Sequence, residues 1–275
     1  MALAWWLTRV TATGTSMTRS SRSPVCVTRS FRRCARSSST CIRWSARPTT
    51  TRCTGWVHRG RPRTAPCSSR GRGHMDWLAD PFPHAVGGLF DVELLHAVAA
   101  EFPSAEHPGW RRYGNDREVK LEGPPAMWGP ATHEYFITLA GMTDFLCDLT
   151  GIGGLEMETI GGGYHLIPPG GYLDVHTDFN RSPQSNLFRR LNVLTYLNRD
   201  WDDEGGHLEL WDDDGLAIDI APEFGTTAIF ETSDRSWHGH PKPAARWRRS
   251  VAAYFFSPEP PPGYRADHST VWRGD

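Results

Sequence analysis

With 275 residues the chain is long enough for one large or two small domains with a sizeable core, and its formal net charge is -1. That figure averages two unlike pieces: residues 1–75 carry fifteen Arg and no Lys, Asp or Glu, so all 31 acidic residues fall in 76–275 against the other 15 of the 30 Lys and Arg, a local charge of -16. An acidic domain argues against nucleic acid as a partner, since phosphate neutralisation needs clustered Lys and Arg, and the lack of any run of eighteen apolar residues predicts no membrane span.

Cysteine usage divides at the same place. Cys26, Cys34, Cys41, Cys53 and Cys67 lie in the first piece and Cys147 alone in the second, with no Cys-x-x-Cys pair to suggest a zinc finger or a thioredoxin-type site. A single thiol in an apolar, helix-like context points to a reducing, cytoplasmic setting. Residues 1–74 are rich in Arg, Ser and Thr and show neither of the apolar periods that build a buried face. A transit peptide or a polyanion-binding arm has such a composition, and so does a GC-rich gene translated upstream of its start. The last reading is favoured here: 1–74 is a disordered or mis-translated extension, Met75 is the authentic first residue, and the segment contributes nothing to function.

From Met75 onward the text is that of a globular domain. Phe90–Phe102 places apolar residues at 94, 95, 98 and 102 with Pro103 just beyond, predicting an amphipathic helix with a hard stop. Residues 104–129 are polar and rich in Gly and Pro and read as a long surface connection. A second helix is expected from Ala131 to Thr150, where Phe136, Leu139, Met142, Phe145, Leu146 and Leu149 recur at steps of three and four before Gly151. Residues 75–154 thus form a helical support region.

After Leu155 the pattern changes to short runs separated by turns. Strands are predicted at Glu156–Ile160, Tyr164–Ile167, Gly171–Val175, Leu191–Leu197, His207–Trp211, Leu216–Ile220, Thr226–Phe230, Trp237–His238 and Trp247–Phe256, punctuated by Gly161-Gly162-Gly163, Gly205-Gly206 and Asp212-Asp213-Asp214-Gly215. This rhythm predicts an antiparallel sandwich or jelly roll over 155–258 with helices at its flank, and a polar tail, 259–275, leading out of the domain.

Two histidines and an aspartate carry the chemistry. In a strand, residues i and i+2 share a face, so His176 and Asp178 project together, and His238, 62 residues after His176, can return on a neighbouring strand. Two imidazoles and one carboxylate on one side of a metal form the facial set used by non-haem Fe(II) oxygenases. A lone His-x-Asp is a weak signal, and a lone histidine is more often a core or surface residue; the weight comes from the residues downstream of the pair. Arg248 lies among Ser, Val, Ala, Tyr and Phe, where a buried guanidinium needs an anion, and a dicarboxylate matches its planar fork. Arg249 points the other way. His240 shares a face with His238 in a regular strand, so spacing alone does not choose between them. Trp237, Phe179 and Tyr254 are candidate pocket walls, with ordinary β-core the equally simple alternative.

The runs His176-Thr177-Asp178-Phe179-Asn180, Arg190 to Trp201 with Thr195-Tyr196-Leu197-Asn198 at its centre, Gly205-Gly206-His207-Leu208-Glu209-Leu210 and Trp237-His238-Gly239-His240-Pro241 with Arg248-Arg249-Ser250 resemble the 2-oxoglutarate- and Fe(II)-dependent oxygenases. Within that superfamily they are most similar to the prolyl 4-hydroxylase-like branch, especially bacterial proline-hydroxylase-type members, over Gly161 to Ser257. The resemblance implies a double-stranded β-helix (jelly roll, cupin-like) with Fe(II) held by His176, Asp178 and His238. It also implies 2-oxoglutarate as co-substrate, its far carboxylate gripped by Arg248 and Tyr196 with Asn192 as a further contact, O2 as the oxidant and ascorbate as reductant. Family members often carry a co-substrate tyrosine shortly before the His-x-Asp; here Tyr164 and His165 are the candidates, and the choice stays open. The implied reaction is hydroxylation of an unactivated C–H bond, with 2-oxoglutarate and O2 converted to succinate and CO2. A prolyl residue of a peptide or protein is the favoured substrate. A free amino acid or small molecule is the runner-up, and a non-catalytic jelly-roll metal-binding module is the rival from another class. Specificity is expected on the mouth loops 104–129 and 179–189, and oligomeric state is not legible.

Overall fold

The computed structural model describes residues 75–275, so the expectations for 1–74 and its five cysteines lie outside the described residues. The described residues form three α-helices, a 3-10 turn at Pro125–Met127 and twelve strands in two antiparallel sheets, the jelly roll with flanking helices that the strand rhythm predicts. The strands are β1 (His84–Gly88), β2 (Arg111–Gly114), β3 (Val119–Gly123), β4 (Glu156–Ile167), β5 (Leu173–Thr177), β6 (Phe188–Tyr196), β7 (Leu208–Trp211), β8 (Leu216–Ile220), β9 (Thr226–Glu231), β10 (Trp237–His240), β11 (Arg248–Ser257) and β12 (Val271–Trp272). One sheet has the order β1-β9-β6-β11-β4-β3-β2 and the other β12-β5-β10-β7-β8.

Helix α1 (Val92–Glu101) sits where the periodicity placed it, its first turn capped by Asp91, whose carboxylate accepts from the Glu93 amide at 2.9 Å. The single helix expected over 131–150 is two, α2 (Pro130–Ala140) and α3 (Thr143–Thr150). The break falls at Gly141-Met142, where glycine is the weakest helix former of the run. Gly151 closes α3 in the left-handed conformation at φ 72°. Pro130 occupies the first turn of α2, and the Glu101 carboxylate accepts from the Ala131 and Thr132 amides there at 3.1 and 2.5 Å, placing a negative charge on the positive end of the helix.

The strand alternation explains where the core lies. Leu191, Val193, Val251, Ala253 and Phe255 project from the central strands of the larger sheet onto the helices, packing with Leu95, Val98, Tyr135, Leu139 and Leu146. The opposite face of the same strands points between the sheets, with Tyr196, Ala252, Tyr254 and Phe256. Fully burying one such Leu or Phe is worth about 1.5–3 kcal/mol.

Three parts depart from the sequence expectations. The two strands predicted across Gly161–Gly163 are one strand, β4, with an irregularity: Ala252 pairs with Gly163 but Tyr254 with Glu158, so the extra residues of β4 bulge outward. Gly163, at φ 119°, is required there, since a Cβ would lie 2.3 Å from the Gly123 carbonyl oxygen. Residues 104–129 are not a plain surface connection: β2 and β3 form a hairpin that pairs with β4 and extends the larger sheet. The tail 259–275 does not lead out of the domain. It returns as β12 along β5, with Val271 opposite Thr177 and Trp272 opposite His176. The hairpin and the tail share one cause: these strands are short and largely polar, and although Leu121 reaches the core, Tyr113, Lys120 and Trp272 face a cavity. Among the described residues no helix is long and apolar enough to cross a membrane.

Candidate metal centre and its cavity

His176 stands near the end of β5, Asp178 comes directly after that strand, and His238 on β10 is paired in register with His176. The structure thereby brings all three together: one ligand atom from each lies within 4.8 Å of the others. Their orientation is fixed from behind. Nδ1 of His176 lies 2.8 Å from the Asp174 carbonyl and Nδ1 of His238 2.8 Å from the Ser236 carbonyl. A carbonyl oxygen only accepts, so each Nδ1 carries the proton and each Nε2 presents its lone pair. Those nitrogens stand 3.7 and 3.5 Å from the Asp178 carboxylate. Two imidazole nitrogens and one carboxylate oxygen converging at one point fit a divalent first-row metal.

Asp178 is oriented in turn. Its Oδ2 accepts from Asn192 Nδ2 at 2.7 Å and faces Arg189 Nη2 at 3.0 Å, while Asn192 Oδ1 accepts from Arg189 Nε and Nη2 at 3.0 and 2.8 Å. Burial works to raise the Asp178 carboxyl, but the Arg189 guanidinium and the two imidazoles outweigh it and hold it well below the usual carboxylate range. Burial, reinforced by His176, pushes His238 down to about 4, so it is uncharged at neutral pH. Arg189 is the residue that sequence reasoning missed. Strict alternation puts it with Leu191 and Val193 beneath the helices, yet Phe255 pairs with Leu191 and Phe256 with Arg189, so β6 holds an extra residue at Arg190. That bulge swings Arg189 inward, between the rings of Tyr254 at 3.7 Å and Phe179 at 4.5 Å.

Behind the cluster lies an inner cavity bordered by His165, Asn192, His240, Arg248 and Lys120, where Asp178 is the one carboxylate among the described residues. Arg248, 4% exposed, donates from Nε to the Gly206 carbonyl at 2.7 Å and from Nη2 to the Tyr196 hydroxyl at 3.3 Å. Among the described residues no carboxylate forms an ion pair with it. A buried guanidinium without a counter-ion is an anion site; burial pulls its pKa down, with the Tyr196 hydroxyl opposing. Arg249, on the other face, is exposed and packs over Phe102.

Asn192, expected as a further co-substrate contact, borders the inner cavity and has its amide hydrogen-bonded to Asp178 and Arg189. Four residues of strand put roughly 13 Å between the two positions, so Asn192 stands at the metal end and Tyr196 at the Arg248 end. Of the two residues left open before the His-x-Asp, Tyr164 faces the helices, hydrogen-bonded to Thr132, and His165 lines the cavity. An outer cavity of about 330 Å³ adjoins the inner one and is walled by Tyr113, Phe179, Tyr254 and Trp272 with Glu122 and Lys120. Phe179 and Tyr254 are thus pocket walls; Trp237, on the opposite face of β10 from His238, lines neither cavity. Trp272 from the returning tail packs on His176 with ring centroids 5.2 Å apart.

A jelly roll with a two-histidine, one-carboxylate cluster beside a buried guanidinium is the donor arrangement that non-haem Fe(II) oxygenases use. Residues 162–257 match the family model described as the 2OG-Fe(II) oxygenase superfamily. Among solved structures, a prolyl-4-hydroxylase from Pseudomonas putida is 21% identical, with a TM-score of 0.50 over 63% of this chain and 92% of that one. A prolyl hydroxylase from Trichoplax adhaerens, in complex with a hypoxia inducible factor peptide fragment, is 18% identical with a TM-score of 0.49 over 63% and 83%. A viral collagen prolyl hydroxylase from Paramecium Bursaria Chlorella virus-1, as a 2OG complex, is 16% identical with a TM-score of 0.45 over 66% and 99%. No curated protein matches the chain. The matched residues 162–257 include the strands that carry the site, and the superfamily is the one the sequence motifs resemble.

Proposed function

We propose that the chain is an Fe(II)- and 2-oxoglutarate-dependent dioxygenase that hydroxylates an unactivated C–H bond, of a prolyl residue in a peptide or protein. In this reading 155–258 is the catalytic core and 75–154 its support. The observation that carries it is the pairing of two features in one cavity: the cluster of His176, Asp178 and His238, and the buried, carboxylate-free Arg248 beyond it. His176 and His238 offer Nε2 and Asp178 offers Oδ1, since its other oxygen is held by Asn192 and Arg189. Arg248 and Tyr196 take the far carboxylate of 2-oxoglutarate. When bound, Fe(II) with 2-oxoglutarate and O2 supplies the oxidising chemistry, releasing succinate and CO2.

The remaining work belongs to the protein's own side chains. The carbonyl-bonded imidazoles and the clamped carboxylate fix the donor set before metal arrives, so little reorganisation is needed on binding. Tyr113, Phe179, Tyr254 and Trp272 wall the outer cavity beside Glu118, Lys120 and Glu122 and offer apolar surface to a substrate ring. Those aromatic walls, together with the family segment, favour a prolyl substrate over the runner-up, a free amino acid or small molecule. The test is optical and binding-based: with Fe(II) and 2-oxoglutarate under anaerobic conditions the protein develops a weak visible charge-transfer band, and Asp178→Ala does not. A non-catalytic metal-binding jelly roll would give no 2-oxoglutarate-dependent band. A panel of proline-containing peptides against free proline then separates the two substrate classes by which one raises 2-oxoglutarate consumption.

A further inference from the structure

His240 is used by neither the metal cluster nor the clamp on Asp178. It is 4% exposed, lies two residues beyond His238 on β10, and borders the inner cavity with Arg248, Ser250 and Lys120. Its placement is a consequence of Gly239 and a bulge. His238 pairs with His176 but His240 with Leu173, so β5 holds an extra residue between them, and a Cβ on Gly239 would meet the Leu173 carbonyl oxygen at 2.8 Å. The close approach of these strands keeps His240 on the cavity side while carrying it past the metal cluster, whose three-residue set does not include it.

Its Nδ1 is buried and has no hydrogen-bond partner. Four described side-chain atoms share that condition, on Trp128, Arg190, Trp201 and His240, and His240 alone of these residues borders the inner cavity. An orphaned buried polar atom costs about 1–3 kcal/mol, and in a native site it marks a partner absent from the protein itself. Beside an unpaired guanidinium, that partner is an oxygen acceptor.

We propose that His240 is a second co-substrate contact, an imidazole N–H donating to the carboxylate that Arg248 anchors, so that Arg248, Tyr196 and His240 grip the far end of the dicarboxylate from three sides. This rests on the 2-oxoglutarate reading of the cavity. Arg248 supplies charge and a planar fork, and the imidazole N–H adds a donor from a separate direction, favouring an acid of this length.

The test is calorimetric binding to the Mn(II)-loaded full chain, with 2-oxoglutarate and with 2-oxobutyrate, which lacks the distal carboxylate. His240→Leu keeps volume and removes the donor; His240→Asn keeps a donor; His240→Val serves if leucine does not fold. The expected result is a roughly tenfold weaker 2-oxoglutarate affinity for the apolar variants, the worth of one good hydrogen bond to a charged group. His240→Asn recovers affinity to within about threefold of wild type, and 2-oxobutyrate and Mn(II) affinities stay unchanged. Unchanged 2-oxoglutarate affinity overturns the proposal, and so does an equal loss for 2-oxobutyrate, which marks a merely structural role. If the wild-type protein binds Mn(II) and neither acid, the 2-oxoglutarate reading itself fails, and this inference falls with it.

Discussion

Replacing Arg248 by methionine separates co-substrate binding from folding, because the two respond in opposite directions. A carboxylate on the guanidinium fork makes two charge-assisted hydrogen bonds, each worth about 1.5–3 kcal/mol. Their loss weakens 2-oxoglutarate binding by about 3–6 kcal/mol, at least a hundredfold. Without ligand the account differs. The guanidinium is buried without a carboxylate, and removing an unpaired buried cation relieves a desolvation cost of several kcal/mol. Against this, the Gly206 carbonyl loses its 2.7 Å donor, a penalty of about 1–3 kcal/mol. Arg248→Met therefore leaves the melting temperature of the ligand-free protein unchanged or raised by a few degrees. The assay is thermal melting of Mn(II)-loaded protein across a 2-oxoglutarate series: at 100 times its Kd, ligand stabilises wild type by about 2.7 kcal/mol. At the same concentration the variant gains at most about 0.4 kcal/mol. A variant that melts several degrees lower without ligand, or that binds 2-oxoglutarate like wild type, would refute the reasoning.

The same geometry sets three further outcomes. Asn192→Ala removes one of the two donors on Asp178 Oδ2 and the acceptor that holds Arg189, so Mn(II) affinity falls by about tenfold or more; a chelator competition that finds it unchanged contradicts the clamp. Trp272→Ala opens the β5 edge beside His176, so water-proton relaxation of the Mn(II) protein rises while Mn(II) affinity holds within about threefold; unaltered relaxation removes Trp272 as a wall. Burial, aided by Lys120, pushes His165 down to about 4, below the ordinary value near 6.5 that the unfolded chain retains. The unfolded state therefore binds the extra proton, and stability contributed at this site is whole above about pH 6.5 and falls toward pH 4. The slope is at most about 1.4 kcal/mol per pH unit. Urea titrations at pH 7 and pH 5 should show this loss reduced in His165→Leu, and an identical difference in both proteins would disprove it.

Periodicity and spacing made part of the site legible in the sequence. The His176-x-Asp178 pair, the returning His238 and the alternating strand around Arg248 each state a face, and the structure brings those faces together. Arg189 was invisible because its direction depends on a one-residue bulge at Arg190, which reverses the side it points to without altering composition. Asn192 shares a face with Tyr196, as alternation requires, but distance along the strand decides which end of the cavity it serves. The hairpin β2–β3 and the strand β12 lack an apolar alternation, since Tyr113, Lys120 and Trp272 look into the outer cavity, and their roles emerge from long-range pairing alone. Gly163 and Gly239 were visible as residues, yet their necessity comes from backbone of other strands within 3 Å of their absent Cβ atoms.

The central claim is tested most directly by measuring succinate formed from 2-oxoglutarate under air, with Fe(II) and ascorbate, for wild type beside Asp178→Ala. Succinate from the wild-type protein and none above background from the variant is the predicted result. Equal turnover in both, or no turnover from wild type that binds metal and 2-oxoglutarate in the presence of proline-containing peptides and free proline, would contradict it.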